Sequence, residues 1–401
     1  MPVDIVDRDR RTCEPVIRGP LRLSTHPILT GSASSGLGSR KNPSILPGDR
    51  CIFRGGETIS ETFKPLVISA PEPRTLDLIF TPDKLAHLRA SYELVEIAEA
   101  QLADLPDDVL GAARYVLGQP PISSGTLAKM TALRAVLNVE SNLLDNMPYD
   151  EVFARGIHVV TTGAVFAVPV AEIGLGFALD LARQISAADA AFRAGTELWG
   201  GDGNAAARLL TGADVGIVGF GDLGRALGRL LAGFRCTIRV FDPWLPPSIL
   251  ADHQVTPANL ETVLTQSDFI FVMASVTSEN RGFLGAEEFA AMRPGAAFIL
   301  LSRADVVDFD ALLDAVERGH IVAASDVWPE EPLPAGHRAR RLPGLIHSAH
   351  RAGALDVAFK RMGDMVLEDM ALMDKGLPPM RCKRAERETA RRMRSKPVDK
   401  N

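Results

Sequence analysis

The sequence predicts an α/β protein built on two parallel sheets, the second of them doubly wound. Three observations carry that expectation. At 401 residues the chain is roughly two to three times the usual length of one compact domain. Short apolar runs alternate with helix-like segments in two separate series. The second series opens on a strand that runs through a glycine-rich turn into a helix. Apolar residues make up 46% of the chain and charged residues 23%, enough to bury cores of this size and to exclude wholesale disorder.

Taken in order, residues 1–64 lack a periodic apolar pattern and contain the run GSASSGLGSR, so a flexible N-terminal extension is expected. From Pro65 the runs LVISA, LRAVLNV and IHVVTT alternate with PDKLAHLRASY and YDEVFARG, and the first domain begins. Residues 168–194 read as one long amphipathic helix, in which Gly174, Gly176 and Ala178 permit close approach at an interface. The second series starts at Ala213, with strands near VGIVGF, TIRVFD, FIFVMA, AAFILL, IVAASDV and LIHSA. Helices such as LGRALGRLLAGF and FDALLDAVERG separate them, which is the pattern of a doubly wound sheet. A further helix over 354–375 returns to the first domain. Residues 381–401 are expected as a basic, solvated tail, with an anion-binding arm as the lesser alternative.

Charge and cysteine content narrow the function class. The chain has 44 basic and 50 acidic residues, a formal charge of −6. Residues 1–64 hold 10 basic and 7 acidic residues and residues 381–401 hold 9 and 3, leaving an acidic body with 25 and 40. Nothing in that distribution suggests nucleic-acid binding, and an anionic substrate needs a local positive site. Cys13, Cys51, Cys236 and Cys382 show no Cys-x-x-Cys spacing, so neither a disulfide framework nor a zinc site is expected, and a reducing cytoplasm is the simplest compartment. The start of the chain does not read as a secretory signal, and Asp4, Asp7 and Asp9 count against a transit peptide. The most apolar window, 166–182, is interrupted by Glu172 and Asp180, so no membrane span is expected.

The strand VGIVGF runs into Gly219-Phe220-Gly221-Asp222-Leu223-Gly224, a G-x-G-x-x-G in its informative context. Gly219 takes the tight turn, Gly221 lets a pyrophosphate approach the backbone, and Gly224 lets the helix pack on the strand. The amides of Leu223 and Gly224 face the phosphates, because helix-start N–H groups have no partner within the helix and carry the positive end of its dipole. Asp242, 23 residues beyond Gly219, ends the next strand, where a carboxylate accepts hydrogen bonds from the ribose hydroxyls of NAD and repels a 2′-phosphate. NADP stays open as an alternative, since Arg239 or another basic residue could reach a phosphate.

Several further blocks, in order, resemble the D-isomer-specific 2-hydroxyacid dehydrogenases, the family that includes phosphoglycerate dehydrogenase and glyoxylate/hydroxypyruvate reductase. They are VPVAEIGLGFALDLAR, VGIVGFGDLGRALGRLL, LLSRADVVDFDALLDAV, SDVWPEEPLP and LIHSAHRAGAL. The resemblance covers residues 65 to about 380. It implies two Rossmann-like domains: an inserted, doubly wound NAD-binding domain over 173–347, and a flavodoxin-like substrate domain formed from segments 65–172 and 348–380. It places the catalytic arginine on Arg303, the glutamate on Glu331 and the acid/base histidine on His350. It further implies a substrate loop at Val139–Asn142 with Ser141 and Asn142 as binding residues, Asp326 near the nicotinamide amide, Ser275 and Thr277 near the adenosine, and Ser302 under the nicotinamide ring. A homodimer with the helix after Val168 at its interface follows from the same resemblance.

The residue types suit those roles. The fork of donors on Arg303 grips a 2-oxo acid's carboxylate and polarises its carbonyl. His350 gives a proton to the carbonyl oxygen in one direction and takes it from the hydroxyl in the other, with Glu331 orienting the ring. His347 and Glu330 are the near competitors: His347 lies inside the apolar run, and Glu331 immediately precedes the proline. The chain departs from the family at Leu300 and Ala304, where Asn and Gly are usual, and at Met273 and Ser275, where His and Pro are usual. A formate dehydrogenase is disfavoured because Glu331 stands where that branch has an amide. The alternative is an NAD-sensing, corepressor-like binding protein on the same scaffold, for which the two extensions speak.

Overall fold

The computed structural model describes residues 52–54, 57–59, 64–277 and 280–395. Most of the N-terminal extension lies outside the described residues. Within it, Ile52–Arg54 pairs antiparallel with Glu57–Ile59, Ile52 opposite Ile59. The expectation of an unstructured stretch missed this hairpin, although Gly55-Gly56 between two β-prone triplets is a hairpin signal.

Beyond residue 63 the chain forms two sheets. In the first, the strands Glu93–Glu96, Leu66–Ala70, Ala113–Gly118, Ala135–Asn138 and His158–Thr161 lie side by side in that order, all parallel. Numbered along the chain this is 2-1-3-4-5, the flavodoxin-like order. In the second, the order is Thr256–Pro257, Thr237–Phe241, Asp214–Val218, Phe269–Val272, Ala297–Leu300, Val322–Ser325 and Leu345–His347, again all parallel. Strand order reverses beside Asp214–Val218, the first strand, so a crevice opens at its carboxyl end where the glycine loop begins. The inner strands are almost wholly apolar, FIFV and AFIL among them, because helices cover both faces.

The helix expected over 168–194 is two helices, Ala167–Arg183 and Ile185–Ala194, separated by Gln184 in the left-handed region at φ 55°. The first packs on the second sheet. A Cβ on Gly174 would lie 2.6 Å from Leu301 Cδ1, and Ala178 is buried, but Gly176 faces open space and contributes nothing to the approach. Gly163–Arg183 has the length and hydropathy of a membrane-crossing segment, more than the interrupting acids suggested. Here its apolar face joins Phe220, Leu227, Phe271 and Ile299 in one core.

Helix Asp356–Asp374 crosses back to the first sheet, where Met362, Val366, Met370 and Met373 pack with Val67, Leu117, Leu137 and Val160. The segment after it corrects the expectation of a solvated tail. Asp369, fully buried in this helix, accepts hydrogen bonds from the backbone N–H groups of Met380, Arg381 and Cys382 at 2.7, 2.9 and 2.8 Å. Lys383–Arg384 then adds an antiparallel edge strand against His158–Thr161, and Ala390 of the helix Arg387–Met393 enters the core beneath the sheet. Charge pattern alone did not reveal this, because the backbone and two apolar side chains, rather than the basic residues, hold the segment down.

Asp369→Ala removes the acceptor of three backbone N–H groups, of which the buried Cys382 amide costs about 1–3 kcal/mol if left unsatisfied. The expected outcome is a melting temperature several degrees lower, together with faster tryptic cleavage at Arg381 and Arg384; an unchanged digestion pattern would show that the segment is held by something else.

Candidate active site

The crevice is built from strand ends. Gly219 follows Asp214–Val218 with φ 89°, and a Cβ there would come within 2.6 Å of the Ala274 backbone, so only glycine makes the turn. A Cβ on Gly224 would lie 2.5 Å from the Gly219 carbonyl oxygen, the close helix–strand approach expected of the third glycine. Gly221 meets nothing within 4 Å, and the space over it opens at the start of helix Asp222–Leu231, with Leu223 half-buried in the first turn. The loop thus has room for a phosphate and free amides to hold it. Asp242 accepts from Phe220 N at 2.7 Å and Trp244 N at 3.0 Å, which draws its carboxylate against the glycine loop. Arg239, the residue left open for a 2′-phosphate, is instead paired with Asp214 at 2.7 Å.

Ser275 is exposed and Thr277 buried on the loop after Phe269–Val272, where Asn280 accepts from Thr277 N at 2.7 Å and donates to Ser275 O at 2.8 Å. Ser302, just past Ala297–Leu300, is 5% exposed and its Oγ has no hydrogen-bond partner among the described residues. A buried hydroxyl so placed is open to a bound group or an ordered water. These features together fit a dinucleotide.

Arg303, Glu331 and His350 each follow a different strand of the second sheet. His350 Nδ1 stands 2.6 Å from Glu331 Oε2, while Glu331 Oε1 accepts from Trp328 N at 2.9 Å. The indole Nε1 of Trp328 donates to Ser348 O at 2.7 Å, so the loops carrying Glu331 and His350 are joined twice. His350 itself has φ 47°, a left-handed conformation that a non-glycine residue adopts under constraint. The constraint is visible: His350 N donates to Asp326 O at 2.7 Å, and the buried Asp326 carboxylate accepts from Ser348 Oγ at 2.5 Å and from Arg351 N and Ala352 N at 3.0 Å. Asp326 therefore anchors the histidine loop through its carboxylate.

Arg303 is largely withdrawn from water, and burial pushes its guanidinium down from the usual arginine value while Glu331, Glu140 and Asp305 pull it back up. Nη1 donates to Ser302 O at 2.7 Å, and Nη2 lies 3.4 Å from Ser141 Oγ on the other sheet's loop. Arg303 and Ser141 thus come within hydrogen-bond reach of one another. The Asn142 backbone carbonyl accepts from the Asn138 side chain at 2.8 Å, which supports the loop from within. His350 and Glu331 also line a cavity of about 760 Å³ together with Trp328, Leu333, Arg340 and His347. His347, the competitor, stacks on Trp328 with centroids 5.7 Å apart and contacts Ala339 O at 2.5 Å.

Two features escaped the sequence reading. Glu140, awkward beside an anion, is neutralised by Arg74 at 2.8 Å, and Arg74 in turn lies over the Phe359 ring at 4.8 Å. The position of Arg74 just beyond the strand LVISA was the signal, since ligand groups gather at such ends. Asn138 and Gln119 form a buried pair at 2.6 Å, with Asn138 also holding the Glu140 N–H at 2.8 Å, so the substrate loop hangs from a polar network. At the departures from the family, Leu300 is fully buried in the sheet core and Met273 packs 3.7 Å from the Gly174 position, so both carry out packing in place of polar contacts.

Fold and site together define a two-domain dinucleotide-binding protein with an imidazole–carboxylate pair and a half-buried guanidinium at the domain cleft. The chain belongs to the D-isomer specific 2-hydroxyacid dehydrogenase family. Residues 175–352 match the model described as that family's NAD binding domain, and NAD is the cofactor. A glyoxylate reductase from Thermococcus litoralis is 32% identical over 241 residues, 59% of this chain and 72% of that enzyme. A D-3-phosphoglycerate dehydrogenase from Bacillus subtilis is 28% identical over 290 residues, 72% of this chain, and the match spans only 54% of that enzyme's length. The crystal structure of a phosphoglycerate oxidoreductase from Rhizobium etli shares 70% identity, covers 81% of this chain and 100% of its own, and superposes with a TM-score of 0.77.

If Asp326 anchors the histidine loop, Asp326→Ala lowers thermal stability and turnover while the affinity for NADH stays within about twofold, a change too small to register as a lost hydrogen bond. A selective loss of NADH affinity, with ADP-ribose affinity kept, would instead place Asp326 on the nicotinamide.

Proposed function

We propose that the chain is an NAD-dependent oxidoreductase that interconverts a small 2-oxo acid and the corresponding D-2-hydroxy acid. One observation carries the reading: the His350–Glu331 pair at 2.6 Å lies near a half-buried Arg303 that reaches Ser141 of the opposite loop. Bound NAD supplies the two-electron chemistry. The protein's own groups do the rest. Arg303 holds the substrate carboxylate or polarises its carbonyl with two parallel donors, and its burial strengthens the attraction by excluding competing water. Ser141 and the amides around Asn142 complete that grip. Glu331 fixes Nδ1 of His350 as the protonated nitrogen, which leaves Nε2 to exchange a proton with the substrate oxygen.

The same reading divides the chain into a substrate domain of residues 65–172 and 348–380 around a cofactor domain of 173–347, and places the protein in the cytoplasm. It also takes a second copy as partner. Ile185, Phe192, Leu198, Trp199 and Leu209 are all more than half exposed on one stretch after the long helix, a concentration of large apolar side chains that a lone soluble chain rarely shows. Light scattering is expected to return twice the chain mass, and a monomer would refute the dimer.

His350→Ala is expected to lower turnover by about a hundredfold to ten-thousandfold, the usual contribution of a general acid, with NADH binding intact. Arg303→Lys keeps the charge and loses the fork, so kcat and oxo-acid affinity fall together. Assays of 2-oxo acids with NADH at saturating cofactor read both, and full activity in either variant would remove that residue from the mechanism.

A further inference from the structure

The docked C-terminal segment reaches the cofactor loop. Its root is clamped by the buried Asp369, and its strand Lys383–Arg384 is paired to His158–Thr161, Lys383 opposite Thr161 and Arg384 opposite Val160. Farther on, Arg394–Ser395 pairs with Leu143–Leu144, directly after the substrate loop. Between these fixed points the Lys383 ammonium extends to 3.9 Å from Asp222 Oδ2. Asp222 is the first residue of the helix that follows Gly221, inside the glycine loop itself.

That position carries an electrostatic conflict. A carboxylate in the first turn stabilises a helix end whose amides are free. The same amides are placed to receive a pyrophosphate, and a neighbouring carboxylate repels it. Asp222 and Lys383 come from different sheets, so the pair forms only when the C-terminal segment is seated and the two domains are together.

We propose that Lys383 conditions the cofactor loop as a positioning residue: its ammonium offsets Asp222 and supplies positive charge beside the Gly219–Gly224 loop, which favours acceptance of the pyrophosphate. The assignment rests on NAD occupying that loop. It differs from a structural role for the segment in acting through charge, on one part of the cofactor.

The test uses the full chain and three probes, NADH, ADP-ribose and adenosine, with binding followed by NADH fluorescence and by competition. Lys383→Ala is expected to weaken NADH and ADP-ribose by about two- to fivefold, the range of a partly exposed charge interaction. Lys383→Glu weakens them further, Lys383→Arg stays near the parent, and adenosine binds equally to all. Adding Asp222→Asn to Lys383→Ala restores most of the loss, and high salt narrows the difference between parent and Lys383→Ala. Equal NADH affinity in parent and Lys383→Ala overturns the proposal, as does a parallel loss of adenosine binding, which would mark a general disturbance of the domain. A parent chain that binds no NADH would instead overturn the cofactor reading beneath it.

Discussion

The contact between Glu331 and His350 can exist only because two loops leaving neighbouring parallel strands are held at one height above the sheet. The 2.6 Å separation is maintained by the Trp328 backbone and indole from one side and by Asp326 from the other, the latter buried and fully engaged with the loop that follows Leu345–His347. Without those supports an imidazole in the left-handed region would relax, and with it the arrangement in which one ring nitrogen is fixed and the other faces the cleft. The remainder of the site is organised around that pair: Arg303 from the next strand inward, the glycine loop at the reversal of strand order, and Ser141 from the second sheet.

Charge follows a similar division between the two domains. The body of the protein is acidic, yet the cleft gathers guanidinium groups from both, Arg303 from one and Arg74 from the other. Each is balanced by a nearby carboxylate, Glu331 and Glu140 respectively, and Arg303 feels both. Such pairing keeps each guanidinium in place beside a compensating carboxylate. The dinucleotide loop follows the opposite strategy, relying on backbone amides, with its one acidic side chain offset from outside by Lys383.

Much of this is legible in the amino-acid sequence. The G-x-G-x-x-G followed by Asp242 names its own geometry, because only glycine tolerates the Gly219 turn and the Gly224 approach. The fully apolar strands announce a parallel sheet covered on both faces. What escapes is of two kinds. Gln184 ends a helix whose apolar pattern continues past it, since a left-handed residue leaves no mark in periodicity. The basic segment after Arg381 reads as solvated because its anchors are backbone amides on Asp369 and a paired strand edge, neither of which is encoded in the charge of the segment itself.

By itself the sequence determined the two sheets and the cofactor loop, because local pattern and residue chemistry suffice to specify those, while Arg303, Glu331 and His350 were singled out only through the resemblance to the family. Only the tertiary structure decided that Asp326 supports the histidine loop, that Arg74 neutralises Glu140, and that the C-terminal segment reaches Asp222. Each of these joins residues far apart in the chain, and such partnerships arise from how the domains pack, which no short-range periodicity records.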